Sequence, residues 1–368
     1  MFKRELWRNF DFWLLGAVLF LSIFGVVMIR SAVAGNVNLA GYAQRQAYFL
    51  IAGIVLVFII TLVDYRYWKS LSIILYIFTV VFLVFILVVG SSSFGAQRWL
   101  DIGLVVVQPA EVAKIVVILV LADFFEKTVR SDKNIRWLLK SLALVGGVVV
   151  WILLQPNLST SILIFVLWFS MIWISGLPIK YIFIFGASAI GLFAAAFPFL
   201  QVYQQQRILN FLFPDPNATH GNAYNVQQAI ISIGSGGVFG QGYGYGTQVQ
   251  LRFLQVRQTD YIFSALANEF GFVGTIAVLL LLLFVVIRCI RAARLASDVY
   301  GSMIAYGFAT LIFFQTIVNV GVNLNVIPVT GLTLPFISYG GSSLVSLLIG
   351  IGLIESVVSR RKLYENKE

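Results

Sequence analysis

Few residues of this chain can do acid–base or ionic chemistry, and most of them stand beside long apolar runs. Asp260 lies in Arg257-Gln258-Thr259-Asp260-Tyr261-Ile262-Phe263, where a polar stretch gives way to an apolar one. A carboxylate so placed can cap the helix that begins there, or it can act as a general base on a hydroxyl nucleophile. A helix N-terminus would lower its pKa, so burial would have to oppose that effect for a base to work. Both uses stay open on sequence alone. Glu269 follows nine residues later, about two and a half turns along the same helix.

Glu111 and Lys114 are three residues apart near the start of another apolar run, hence on one helical face. Charges at membrane depth are costly unless paired or hydrated. This pair is therefore either part of a site or an ion pair that locks two helices. Arg98, Arg207, Arg252 and Arg257 are further cations on the same side of the chain's topology, and a guanidinium suits phosphate oxygens because it donates in a fork.

Several chemistries are excluded. Cys289 is the sole cysteine and lies among arginines, which leaves a packing role and no disulfide framework. A single histidine, His220, rules out a multi-histidine metal site. The chain lacks HExxH, GxxxxGK[ST] and CxxC. In the run Gly234 to Gly246, seven of thirteen residues are glycine, without the lysine of a phosphate loop. Hinge and close-packing glycine is the plainer reading, and backbone contact to a ligand is the other.

The elements that must position these residues are membrane helices. Hydrophobic residues make up 60% of the 368, charged residues 11%, and mean hydropathy is +0.94. A soluble protein of this length needs far more polar surface. The net charge of +10 comes from short basic runs between apolar stretches, which suits a cytoplasmic face meeting anionic lipid and excludes nucleic acid as the partner. About 20 apolar residues cross the hydrocarbon, and ten segments qualify: 12–29, 47–63, 71–90, 104–125, 139–154, 159–176, 181–200, 261–287, 302–322 and 339–357. The expected fold is an all-α integral membrane protein, one polytopic domain over 1–368, with a long extracytoplasmic loop at 201–260 between the seventh and eighth spans.

The first segment has a rival reading as a signal peptide, with basic residues before it and Ala32-Val33-Ala34 after it. Its apolar run of about 18 residues and the adjacent Arg30 favour a retained span. With the N-terminus inside, eighteen basic residues fall on inner segments and six on outer ones, Lys114 lying within a span. That bias places both termini in the cytoplasm and Asp260 outside. The stretch 323–338 is uncharged and broken by Pro328, Gly331 and Pro335, which suggests a re-entrant element sheltered by protein.

Taken together, these segments resemble the SEDS family (shape, elongation, division, sporulation) of bacterial membrane proteins. The likeness rests on Gly95-Ala96-Gln97-Arg98-Trp99-Leu100, on Gln108-Pro109-Ala110-Glu111 with Lys114, and on Gln155-Pro156-Asn157-Leu158. It continues through Ser235-Gly236-Gly237, Gly246-Thr247-Gln248, Gln258-Thr259-Asp260-Tyr261-Ile262-Phe263, and the block from Pro328 to Ser343 that includes Ser338. These pieces run in family order over nearly the whole chain, and Gly246-Thr247-Gln248 followed by Leu251 and Phe253 looks more like the elongation branch than the division branch.

The resemblance implies a ten-span peptidoglycan glycosyltransferase of the cytoplasmic membrane that polymerises lipid II on the extracytoplasmic face. Its implied partners are a class B penicillin-binding protein and other elongation-complex membrane proteins. Asp260 would be catalytic; Glu111, Lys114, Arg98, Arg207, Arg252, Arg257, Gln155, Asn157 and Ser338 would contact substrate. No organic cofactor is implied, and a divalent cation, Mg2+ or Mn2+, could share the diphosphate's charge. A lipid II flippase, and a scaffold that activates a partner enzyme, are the alternative readings. Three departures from the family pattern stand out. Asn157-Leu158-Ser159-Thr160 replaces Asp-Leu-Gly-Thr, Gln255-Val256 replaces Pro-Glu, and Asn268-Glu269 replaces a pair of glutamates.

Overall fold

A computed structural model of the chain describes residues 6–93, 96–101, 106–178, 181, 191, 197–213 and 221–361. Helices α1 (Phe12–Ala32), α2 (Tyr42–Leu62) and α3 (Tyr65–Val89) come first. A small antiparallel sheet follows, β1 (Ser91–Ser93), β2 (Ala96–Asp101) and β3 (Val106–Val107). Then come α4 (Pro109–Lys127), α5 (Ile135–Leu154), α6 (Leu158–Ile174), α7 (Val202–Leu212), α8 (Gly221–Ser235), α9 (Thr247–Gln250), α10 (Ile262–Leu295), α11 (Val299–Asn323) and α12 (Gly341–Ser359). Seven described helices are long and apolar enough to cross a membrane, and α6 is a shorter apolar one.

Nine of the ten expected spans coincide with described helices, α4 and α6 included. The remaining one, 181–200, lies almost wholly outside the described residues. Polar residues set several helix starts. Asp11 Oδ1 accepts from Leu14 N at 3.0 Å, Asn134 Oδ1 from Trp137 N at 3.0 Å, and Asp298 Oδ1 from Gly301 N at 2.8 Å, each satisfying an amide the helix leaves unpaired.

Helix α4 carries Glu111, Lys114, Asp123, Glu126 and Lys127, too many charges for a lipid-facing span. It is buried from Pro109 to Asp123 except at Val112, packed among α3, α5, α6, α11 and α12. Its neighbours, and not lipid, are its solvent. By contrast α3 turns Ile73, Ile77 and Val81 outward, as a lipid-facing helix should. Helix α1 packs as a member of the bundle: Leu14, Val18, Leu21, Met28 and Ile29 are fully buried, and Arg288 of α10 reaches Asp11 Oδ1 at 2.5 Å.

Helix α10 is broken at Gly271, whose φ of 65° and ψ of −165° no helix contains. The break frees backbone groups that cannot remain unpaired in hydrocarbon. The glycine run supplies the partners. Gln241 N and Gly242 N donate to the carbonyls of Asn268 and Glu269 at 3.1 and 2.9 Å, while Phe272 N and Val273 N donate to those of Gly237 and Val238 at 2.9 and 3.0 Å. A β-carbon on Gly240 would drive into the Glu269 carbonyl. Gly236, Gly240 and Gly246 serve close packing, since a β-carbon on any of them would run into the stretch Ala267–Glu269 of α10.

Candidate active site

Asp260 is the second residue before α10, half-buried at the end of the bundle. The N-cap is Tyr261, with no side-chain cap hydrogen bond, so capping does not account for the aspartate. Burial raises the Asp260 pKa above the ordinary carboxylate value, against the positive charge of Arg207 and a hydrogen bond to Thr259. The balance leaves a carboxylate more basic than one in water.

The loop 324–340 wraps this position. Ser338 Oγ donates to Thr259 O at 2.8 Å and accepts from Leu334 N at 2.8 Å, and Tyr339 N donates to Gln258 O at 2.8 Å. Gln46 of α2 braces the same turn, donating to Ser338 O at 3.3 Å and accepting from Gly340 N at 3.1 Å. From α11, Asn319 Nδ2 donates to Asp260 O at 3.1 Å and to Leu332 O at 2.8 Å, and Asn323 Nδ2 donates to Asp260 O at 2.9 Å.

Helix α7 brings Arg207. Tyr203 OH and Gln204 Nε2 fasten that helix to the Pro156 carbonyl at 2.6 and 3.2 Å. Arg207 Nη1 then lies 3.5 and 3.4 Å from the carbonyls of Val329 and Thr330, and its guanidinium sits 5.6 Å from the Tyr203 ring centre. Ser159 Oγ donates to Thr330 O at 2.5 Å. Between α6, α7, α11 and this loop is a cavity of about 270 Å³, polar at Asn157, Ser159, Arg207 and Thr330 and apolar at Ile162, Phe314, Val318 and Ile327. Arg207 also borders a second cavity of about 50 Å³, with Asn210, Asn222, Gln227 and Asn325. Gly331, between the cavity residues Thr330 and Leu332, is beside the Asp260 carboxylate.

The structure thus gathers Asp260, Arg207, Asn157 and Ser338 around one loop. Asn157 Oδ1 also caps α6, accepting from Thr160 N at 3.3 Å. The other expected residues stand in separate joints. Lys114 Nζ is 2.7 Å from Glu111 Oε2, and Ser346 Oγ of α12 is 3.3 Å from the same oxygen. Gln155 Nε2 donates to Leu83 O at 3.0 Å. Arg257 is buried, donating to Ala32 O and, at 3.1 Å, to Leu254 O; burial and the nearby charge of Arg252 lower its pKa. Arg252 donates to Gly35 O. Arg98 falls on β2, and its side chain lies outside the described residues. Sequence reasoning missed Gln46, Asn319 and Asn323. Amides inside apolar spans were the available signal, since lipid or apolar packing gives no reason for them.

Comparison with known proteins completes the assignment. A family model described as "Cell cycle protein", named for FtsW, RodA and SpoVE, matches residues 12–363. The peptidoglycan glycosyltransferase MrdB of Escherichia coli (strain K12) is 34% identical over 98% of this chain and 97% of its own length. Stage V sporulation protein E of Bacillus subtilis (strain 168) is 34% identical over 94% of this chain and 96% of its own. The crystal structure of the rod shape determining protein RodA of Thermus thermophilus matches with a TM-score of 0.72 at 30% identity, covering 96% of this chain and 98% of that one. A chain from a structure of a peptidoglycan synthase complex, concerned with coordination of polymerization and crosslinking, matches with a TM-score of 0.82 at 31% identity over 96% and 98%. The family match spans nearly all the residues and the relatives align over nearly their full lengths, so the chain belongs to the FtsW/RodA/SpoVE family.

Proposed function

We propose that Asp260 is the general base of a lipid II polymerase that this chain forms in the cytoplasmic membrane. The chain is a peptidoglycan glycosyltransferase of cell elongation, as its similarity to MrdB and RodA supports. The observation that carries the role of Asp260 is its half-buried carboxylate, free of any capping duty, beside Gly331 and within the field of Arg207, with the two neighbours of that glycine and Arg207 itself lining a cavity with an apolar wall.

Asp260 takes the proton from the acceptor's GlcNAc 4-hydroxyl. That oxygen attacks the anomeric carbon of the donor MurNAc with inversion, the β-1,4 bond forms, and undecaprenyl diphosphate leaves with the electron pair. General-base help is worth about 10²–10⁴-fold. Positioning and neutralisation of the leaving diphosphate supply the rest, and Arg207 is the cation best placed for it. The apolar side of the larger cavity suits the polyprenyl tail. Among the described residues no group of three or more His, Cys, Asp or Glu could hold a metal ion.

The basic-residue bias supports an active site on the extracytoplasmic face. A class B penicillin-binding protein and other elongation-complex membrane proteins are the proposed partners, a reading supported by the likeness to a chain of a peptidoglycan synthase complex. The test is polymerisation of purified lipid II by the chain with its partner's transpeptidase site blocked. Asp260→Ala is expected to abolish glycan chains. Full-length chains from that variant would remove the base assignment, and lipid II crossing liposomes without polymer would replace the enzyme by a flippase.

A further inference from the structure

We infer that Asn319 and Asn323 are positioning residues that hold the base against the loop it works beside. The inference rests on Asp260 as the base. Both asparagines are fully buried in α11, one turn apart. Asn319 Nδ2 bridges Asp260 O (3.1 Å) and Leu332 O (2.8 Å), so a single amide ties the residue that bears the base to the residue after Gly331. Asn323 Nδ2 repeats the grip on Asp260 O at 2.9 Å and adds Asn319 O at 2.8 Å. Its oxygen is fixed in turn, accepting from Ser264 N at 3.1 Å and Ser264 Oγ at 2.6 Å, within the first turn of α10.

Two features separate this from ordinary packing. Asp260 and Leu332 are on different elements, and the gap between them is where Gly331 meets the carboxylate. Among the described residues nothing donates to Asn319 Oδ1. Turning the amide over would set that oxygen against two carbonyl oxygens and release both elements, so the bridge fixes which way the amide points. Leucine has the same branching and suits an apolar span, but it would leave Leu332 O without this donor. The amide is explained by what it holds.

The experiment uses the full chain, purified with lipid II as substrate. Asn319→Leu keeps the number and branching of the side-chain heavy atoms and is suited to a membrane interior. It is expected to lower kcat on the order of 100-fold, the scale of a misplacement of about 1 Å, with KM within about twofold, in a protein that still folds. A folded Asn319→Leu protein with wild-type kcat would overturn the inference, and so would a loss that appears wholly in KM. Ser264→Ala removes only the hydroxyl that orients Asn323 and should fold if Asn319→Leu does not. A several-fold fall in kcat at constant KM supports the clamp, and unchanged kcat overturns it. Asp260→Ala runs beside them. Activity there sinks the base assignment itself, whereas an inactive Asp260→Ala beside fully active Asn319→Leu and Ser264→Ala sinks only the clamp.

Discussion

Gly331 leaves room beside the carboxylate of Asp260: a β-carbon built on the glycine would stand 3.7 Å from Asp260 Oδ2, at van der Waals distance. The space between them is about one small group wide, and with Asp260 as the base it is the proposed approach of the acceptor hydroxyl. Gly331 has φ of +79°, a left-handed conformation that costs an L-residue about 1–2 kcal/mol. Gly331→Ala should therefore fold, with a penalty of that order in thermal unfolding, yet lose turnover well beyond it. Gly331→Val should be inactive. An active valine variant would show that the substrate comes to Asp260 from another side.

Arg207 and burial pull the Asp260 pKa in opposite directions, burial prevailing. Only the ionised carboxylate is a base, so kcat/KM should fall as pH drops through that raised pKa, above the ordinary range of about 4. Arg207→Gln removes the charge that favours ionisation and should move this acid limb to higher pH. Arg207→Lys should move it less. A limb that stays put in the glutamine variant would separate Arg207 from the base.

The Glu111–Lys114 pair, 2.7 Å apart, has side chains only 9% and 1% exposed. Removing one partner strands the other charge in the bundle, so Lys114→Met should cost about 3–5 kcal/mol of stability. The Glu111→Gln, Lys114→Met double variant should recover much of that loss. Turnover of the double variant then decides the pair's role: wild-type rates would leave it a structural lock between α4 and α12, and a large kcat loss at normal stability would place it in the reaction.

The glycine run offers a sharp contrast within one segment. Gly240→Ala should cost at least about 3 kcal/mol, because its β-carbon enters the Glu269 carbonyl at a φ of +82°. Gly234, in the last turn of α8, has open space around it, and Gly234→Ala should be neutral or stabilising by about 0.5–1 kcal/mol. Thermal unfolding in detergent measures both.

Much of this protein is legible in its residues because hydropathy reports directly on spans. The described helices fall on nine of the expected segments, and charge asymmetry is what supports their orientation. Asp260 and its loop also stand out, since ionisable groups are scarce. What did not show is pairing between distant segments. Helix α4 starts at Pro109, five residues beyond the expected 104, because Val106–Val107 join the small sheet. Arg257 and Arg252 looked like free cations, but carbonyls at Ala32, Leu254 and Gly35 hold them. No local pattern names those partners. Asn319 reads as one polar residue in an apolar run until Asp260 and Leu332 are brought beside it.

The interruption of α10 at Gly271 bears on how the protein is made. A span with its ladder cut cannot rest in hydrocarbon with amides and carbonyls exposed, each costing several kcal/mol. The strands of backbone that mend it, Gly237–Val238 and Gln241–Gly242, precede α10 in the chain. They leave the ribosome first. The mending segment is thus already present when the interrupted helix emerges, and a chain reordered so that this segment followed α10 would have to insert that helix unmended.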